Sequence, residues 1–358
     1  MSEANVLVIG GGGREHALCW KLADSPNVKK IYCAPGSVGI STTKKVESIE
    51  LDIKNYSALA QWCKDNIIDL VVIGPEDPLA HGIVDGLVSY GIPCFGPNKA
   101  GAQIEANKDW AKRFMNKYQI PTARHKSFTD AAAAKEFINS ATYPALVVKA
   151  SGLAAGKGVV VATCKEEACK AVDEILTDAK YGTAGQTVVI EELLEGDEVS
   201  VLAFTDGETV SMMPPAQDHK RIGDGDTGPN TGGMGAYSPC PLITPDQLAD
   251  VKDQVLQRAV DGLKAEGIKY VVSKMIPRKT TLYAVVKFCD NSESSRRQQE
   301  RLQTEKETQV RQINLKIENH IVISNLEKAK TQILFFKPAI AKGERSNHDS
   351  NKADLGVA

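Results

Sequence analysis

The first hundred residues alternate two kinds of apolar pattern. Asn5-Val6-Leu7-Val8-Ile9 is a continuous apolar run that ends in Gly10–Gly13, the form of a parallel strand buried on both faces. Residues 14–23 follow at helical spacing, then Lys30–Ala34 as a strand closed by Pro35-Gly36. Ser57–Lys64 reads as a helix, Asp69–Ile73 as a strand ahead of Gly74-Pro75, and Ile92–Pro97 as a short strand and turn. This rhythm predicts a doubly wound parallel α/β domain over residues 1–104. Ligands of such sheets gather beyond the carboxyl ends of the strands, where these turns fall.

From about Ala100 the texture changes. Residues 100–118 and 129–140 read as helices, Ala145–Lys149 and Val159–Ala162 as strands around a glycine-rich turn, and 165–177 as a helix. Thr187–Ile190 is a further strand, and residues 246–264 are again helical. Strands and helices in this order suggest an antiparallel α+β lid. Asp218–Pro241 reads as a loop, because its six glycines are too many for the interior of an element. Ser292–Gln312 has two clearly apolar residues, Leu302 and Val310, among nine charges, so it cannot bury a face and is expected to be a solvated helix or disordered. Residues 313–340 carry scattered apolar positions, and the last eighteen read as disordered.

Composition narrows the class. The 358 residues are 42% apolar and 25% charged, as in a globular chain of two or three packed units. The net charge of −2 gives no overall basic field for nucleic acid. Residues 271–358 are the exception, with 16 Lys and Arg against 10 Asp and Glu. Few aromatics stand there to stack on bases, so a solvated appendage is favoured over an RNA-binding arm. No apolar run is long enough to span a membrane. The start MSEANVLVIGGGG does not look like a secretory signal, and eight cysteines without a CxxC pair read as reduced cytoplasmic thiols.

Several segments carry candidate chemistry. Gly10–Gly13 fills the first two glycine positions of G-x-G-x-x-G, but Glu15 stands at the third. Phosphate binding and a plain tight turn both remain open there, and a dinucleotide oxidoreductase is disfavoured. Gly152–Gly158 departs from a Walker A loop in spacing and has Gly158 where Ser or Thr would hold magnesium. A glycine turn between strands can still cover a triphosphate with its amides and Lys157. Lys149 is either a second cation or a strand-end lysine reaching for water. Glu191-Glu192-Leu193-Leu194 with Glu198 reads as an adenine and ribose hinge or as surface acids. Asp218-His219-Lys220-Arg221 and Gly228–Tyr237 gather cationic groups and exposed amides suited to anions.

Taken in order, VLVIGGGGREHAL, IGPEDPLAHGIVD, FGPNKAGAQIEANK, PALVVKASGLAAGKGVVVA, VVIEELLEGDEVS and PPAQDHKRIGDGDTGPNTGGMGAYSP resemble glycinamide ribonucleotide synthetase, a phosphoribosylamine–glycine ligase family of the ATP-grasp type. The resemblance runs from about Asn5 to Tyr270, and extends to the first module of the multifunctional animal purine enzyme. It implies an ATP-grasp domain over 105–270 with a lid at about 123–194, and a divergent basic tail over 271–358. It implies ligation of glycine to 5-phosphoribosylamine through glycyl phosphate, driven by ATP with Mg2+ or Mn2+. Lys149 and Arg221 would be catalytic, and Lys108, Lys149, Gly152, Gly156, Lys157, Glu191, Glu192, Leu193, Leu194, Glu198, Arg221 and Asn230 would meet ATP. Gly11, Gly12, Gly13, Pro75, Glu76, Asp218, His219, Lys220, Thr231, Gly232, Gly233, Met234 and Gly235 would face the other substrates.

The family continues with a motif of the form E-F-N-C-R-F-G-D-P-E, whose Glu and Asn bind the metal. No such motif occurs here, so no metal ligand is assigned. The ATP-grasp part is therefore expected to be incomplete at its C-terminal end, with an open sheet edge. The alternative to an active ligase is an impaired variant that keeps nucleotide or substrate binding, or that pairs with a full-length purine enzyme.

Overall fold

A computed structural model describes residues 3–154, 157–225 and 227–268, together with the backbone of strands at 283–290 and 333–336. The N-terminal part is a parallel sheet of β1 (Ala4–Gly10), β2 (Val28–Pro35), β3 (Val46–Ser48), β4 (Leu70–Ile73) and β5 (Cys94–Phe95) in the order β3-β2-β1-β4-β5. The helices α1 (Gly13–Ala23), α2 (Val38–Ser41), α3 (Tyr56–Asp65), α4 (Glu76–His81) and α5 (Ile83–Ser89) connect these strands. The apolar run of β1 is continuous because both its faces are buried: Leu7 and Ile9 pack with Leu59, Cys63 and Leu87, while Val6 and Val8 pack with Cys19, Ile31 and Ile40. The strand order reverses between β1 and β4, the doubly wound arrangement expected from the sequence.

Helices α6 (Lys99–Ala106) and α7 (Lys108–Lys117) lead out of this sheet. They break at Asn107, whose side chain caps α7 by accepting from the Trp110 amide. The next sheet contains β6 (His125–Phe128), β7 (Val147–Ala150), β8 (Val159–Val161) and β9 (Val188–Glu191), antiparallel in the order β6-β9-β7-β8. Val148, Ala150, Val188 and Ile190 face the core shared with α8 (Ala131–Ser140) and α9 (Lys165–Val172), and a π-helical turn, Asp173–Thr177, extends α9. Strand alternation puts Lys149 and Glu191 on the opposite face.

A further sheet, β11-β10-β14-β15, comprises β10 (Asp197–Thr205), β11 (Val210–Met212), β14 (Tyr283–Asp290) and β15 (Ile333–Phe336). Val199, Val201 and Ala203 of β10 pack against Phe114 and Met115 of α7 and against Val255, Leu256 and Leu263. Those last residues lie on one helical run: α10 (Pro245–Asp250), a π-helical stretch Val251–Gln257, and α11 (Arg258–Ala265).

Two expectations change. Asp218–Pro241 is largely an antiparallel ribbon of β12 (Gln217–Gly223) and β13 (Thr227–Tyr237), in place of a loop. Its glycines suit left-handed backbone at Gly228, Gly233 and Gly235, and the ladder is irregular on either side of Arg221. An open sheet edge is expected where the family's last strands would follow, but beside β10 the sheet continues into β14, paired from Asp197↔Asp290 to Ala203↔Ala284. The strands β14 and β15 thus fall inside the segment read as tail, whereas Ser292–Gln312 and the last eighteen residues lie outside the described residues.

Candidate functional site

At the reversal of strand order, the turn after β1 meets the turn after β4. Gly11, Gly12, Gly13, Pro75 and Glu76 therefore border one crevice. The residue at the third fingerprint position explains the turn. The Gly12 amide donates to Glu15 Oε2 at 2.7 Å, and the Glu15 carboxylate, 4% exposed, fills the space that a Cβ at Gly10 or Gly74 would need. Gly36 donates its amide to the Gly10 carbonyl at 3.1 Å, and Gly11 packs directly on the Gly36 carbonyl. Arg14 donates to the Gly74 carbonyl at 2.7 Å and lies 3.6 Å from the Glu76 carboxylate. Gly13 has open space where a side chain would be.

The second site lies on the face of the lid sheet away from α8 and α9. Glu191 Oε2 accepts from Lys149 Nζ at 2.8 Å and from Lys112 Nζ at 3.1 Å. Lys112 also donates to the Thr122 hydroxyl at 2.7 Å. The side chains of Lys112 and Glu191 are 7% exposed and that of Lys149 15%. Burial would push the Glu191 carboxyl up, but the Lys149 and Lys112 ammonium groups outweigh it and hold the pKa at about 2. For Lys112 burial dominates: desolvation brings it down to about 8, opposed by Glu191 and aided by Lys149. Burial also lowers His125, which is next to this pair on β6. Two ammonium groups on one carboxylate oxygen leave a buried excess of positive charge, a donor set that fits an anion.

The glycine turn from Ser151 to Gly158 starts beside that cluster. Lys108 donates its amide to the Ser151 carbonyl at 2.8 Å and its Nζ to the Gly152 carbonyl at 3.0 Å. The Gly152 amide donates to Ala184, whose backbone a Cβ at Gly152 would strike at 2.6 Å. Tyr181 donates its hydroxyl to the Lys157 carbonyl at 2.8 Å, and the Lys157 side chain is exposed. Gly156 lies outside the described residues.

The hinge residues separate. Glu192 forms a two-pronged ion pair with Arg124 at 2.6 and 2.9 Å, and Arg124 rests on the Tyr143 ring at 4.1 Å. The amides of Glu192 and Leu193 donate to the carbonyls of Arg124 and Pro144, and Leu194 follows. Glu198 sits on β10, in a different sheet from Glu191.

On the ribbon, Asp218 pairs with Ala236, His219 with Gly235, and Arg221 with Asn230. His219 stacks on Tyr237 at 5.9 Å, and Asp218 accepts from the Ser200 hydroxyl at 3.4 Å. The Thr231 hydroxyl accepts from the Gly233 amide at 3.0 Å, and Gly233, Met234 and Gly235 are exposed. Nothing is described of the side chains of Lys220 and Asn230, and Gly232 lies on β13.

Sequence reasoning did not single out Lys112 or Arg14, and met Glu15 only as the residue in place of the third fingerprint glycine. A signal existed for Lys112: it lies one turn after Lys108 on α7, within the stripe Ala111, Phe114, Met115 that packs inward. Among the described residues no three His, Cys, Asp or Glu side chains gather to hold a metal ion, and no helix is long and apolar enough to cross a membrane. The described donor set thus fits a polyanion, but supplies no cation site.

Two family models cover most of the chain. The phosphoribosylglycinamide synthetase N domain matches residues 4–105, and the ATP-grasp (A) domain of the same synthetase matches 106–277. The chain is 66% identical over 268 residues to the trifunctional purine biosynthetic protein adenosine-3 of Drosophila melanogaster, covering 74% of this chain and 20% of that protein. It is 53% identical over 265 residues to a phosphoribosylamine–glycine ligase of a Nostoc species, covering 74% of this chain and 62% of the relative. The crystal structure of phosphoribosylamine–glycine ligase from Thermotoga maritima superposes with a TM-score of 0.62 at 32% identity, covering 74% of this chain and 63% of that one. The chain spans about a fifth to a quarter of the length of its animal relatives. Matched by both models from residue 4 to 277, the chain belongs to the phosphoribosylglycinamide synthetase family.

Proposed function

We propose that this chain carries the ATP-dependent joining of glycine to 5-phosphoribosylamine, giving glycinamide ribonucleotide, ADP and phosphate. The observation that carries the reading is the positively charged Lys112–Glu191–Lys149 cluster beside the Ser151–Gly158 turn, in a chain that matches the synthetase models. When bound, ATP supplies the phosphoryl group that turns the glycine carboxylate into glycyl phosphate, which the amine then attacks.

The residues contribute alignment and charge. Lys149 would meet the phosphates from β7, with Lys108 at the root of the turn and Lys157 and the Gly152 and Gly156 region covering them. Leu194 would offer its backbone to adenine, since the amides of Glu192 and Leu193 are already engaged. Glu198 would hold the ribose. Arg221 and Asn230, neighbours across the ribbon, would border the transferred phosphoryl group. The crevice of Gly11–Gly13, Pro75 and Glu76 would take phosphoribosylamine, and the ribbon segment Thr231–Gly235 with Asp218, His219 and Lys220 would face the remaining substrate. Because the described residues form no metal site, no step is assigned to a cation, although the family's ATP would enter with Mg2+ or Mn2+.

The test is ADP release by the purified chain with Mg·ATP, glycine and freshly generated phosphoribosylamine, beside Lys149→Ala. The expected result is turnover that needs both substrates and is lost in the variant. A folded chain without turnover would contradict the reading. We infer a cytoplasmic setting from eight cysteines without a CxxC pair, free where they are described, and a longer purine-pathway protein as the partner to test for.

A further inference from the structure

Lys112 is outside every motif the sequence brought forward, yet it is the most enclosed cation of the cluster. It reaches Glu191 Oε2, the same oxygen that Lys149 holds, and donates also to the Thr122 hydroxyl. A single carboxylate next to a single lysine would cancel its charge. With Lys112 sharing that carboxylate, the buried set keeps one positive charge, and its more exposed end is Lys149. We propose that Lys112 is a positioning residue for nucleotide phosphate: by occupying Glu191 from below, it prevents the carboxylate from neutralising Lys149. This rests on the assignment of the ATP site made above.

The groups around Lys112 are Glu191 on β9, Lys149 on β7 and His125 on β6, with Asp109 earlier on its own helix. Of these, Lys112 is the group brought down to about 8. It is charged below that pH and loses its proton above it, so the excess charge, and with it the hold on phosphate, should fade as pH rises through 8.

The test is the affinity for ADP, by calorimetry from pH 6.5 to 9.5, of the wild type, Lys112→Met and Lys112→Met with Glu191→Gln. Met keeps the length of the side chain and leaves Glu191 paired with Lys149. At pH 7 we expect Lys112→Met to bind about tenfold more weakly, as loss of one nearby charge dictates. The step near pH 8 should be present in the wild type and absent in the variant. The double variant, its charge balance restored, should recover most of the affinity. Wild-type affinity in Lys112→Met, or an unchanged pH step, would overturn the proposal alone. Failure of the wild type to bind ADP at any pH would overturn the ATP-site reading and the proposal with it. A second readout needs no variant: with lysines labelled at Cε with carbon-13, the Lys112 titration should move up when ADP binds, by reciprocity of the coupling. An unmoved titration would contradict the proposal.

Discussion

Two glycine turns follow two buried strands, and they are held in opposite ways. The turn after β1 is fixed from within: Glu15 accepts the Gly12 amide and lies in contact with the positions of Gly10 and Gly74. The turn after β7 is fixed at its margins, by Lys108 and Ala184 at Gly152 and by Tyr181 at Lys157. Similar composition thus serves different ends. In the first, glycine gives room to a side chain that completes the fold. In the second, the glycines leave a span between strands, and the buried charge lies beneath it on the sheet. Substitution should therefore damage stability at the first turn and nucleotide handling at the second.

The sharpest break in that comparison should come beneath the second turn. Glu191→Ala leaves two enclosed lysines without their shared carboxylate, and about 3–5 kcal/mol should be lost in denaturant unfolding. Gly10→Ala comes next. Its φ of +126° disfavours a side chain and the new Cβ would meet Glu15 at 2.6 Å, so a loss of about 2–3 kcal/mol is expected by the same measurement. Acid should act through Glu191, whose folded pKa of about 2 is below the ordinary 4.5. The carboxylate's contribution is present above about pH 4.5 and is lost as pH falls toward 2, which a pH series of melting temperatures would show. Lys112 gives a slope of the same sign at higher pH: its folded pKa of about 8 lies below 10.5, so the cost of burying its charge is relieved and stability rises between those values, while nucleotide affinity falls.

Smaller effects sharpen the contrast. Arg124→Ala removes a surface ion pair and ring contact, and should lower the melting temperature only slightly, less than Gly10→Ala does. Lys157→Ala should change stability by no more than about 0.5 kcal/mol, because the side chain is exposed. Its effect should appear instead as a raised KM for ATP. Equal stability losses at Gly10 and Lys157 would remove the distinction between the turns.

Four of the five strands of the N-terminal sheet were legible because each ends in glycine or proline after a short, largely apolar run, as at Val6–Ile9 and Val71–Ile73, whereas β3, three residues with Glu47 at its centre, carries no such signal. Lys149 and Glu191 were legible as residues, but not their union. They are distant in sequence, and the antiparallel pairing of β7 with β9 places them on one face. Lys112 escaped because a lysine within an apolar helical stripe reads as a surface residue until its partner strand is known. The ribbon escaped for a different reason: its pairing is carried by backbone across Gly223–Thr227 and His219–Gly235, with no apolar alternation to announce it. Strand β14 lies beyond the stretch that carries the family motifs, so its place between β10 and β15 could come only from the folded backbone.

The most direct measurement is a crystal structure of the chain with a non-hydrolysable ATP analogue. The account expects the phosphates within hydrogen-bond distance of Lys149 Nζ, under the Ser151–Gly158 turn, with adenine against Leu194. Phosphates seated instead at Gly10–Gly13, with the Lys112–Glu191–Lys149 cluster untouched, would contradict it.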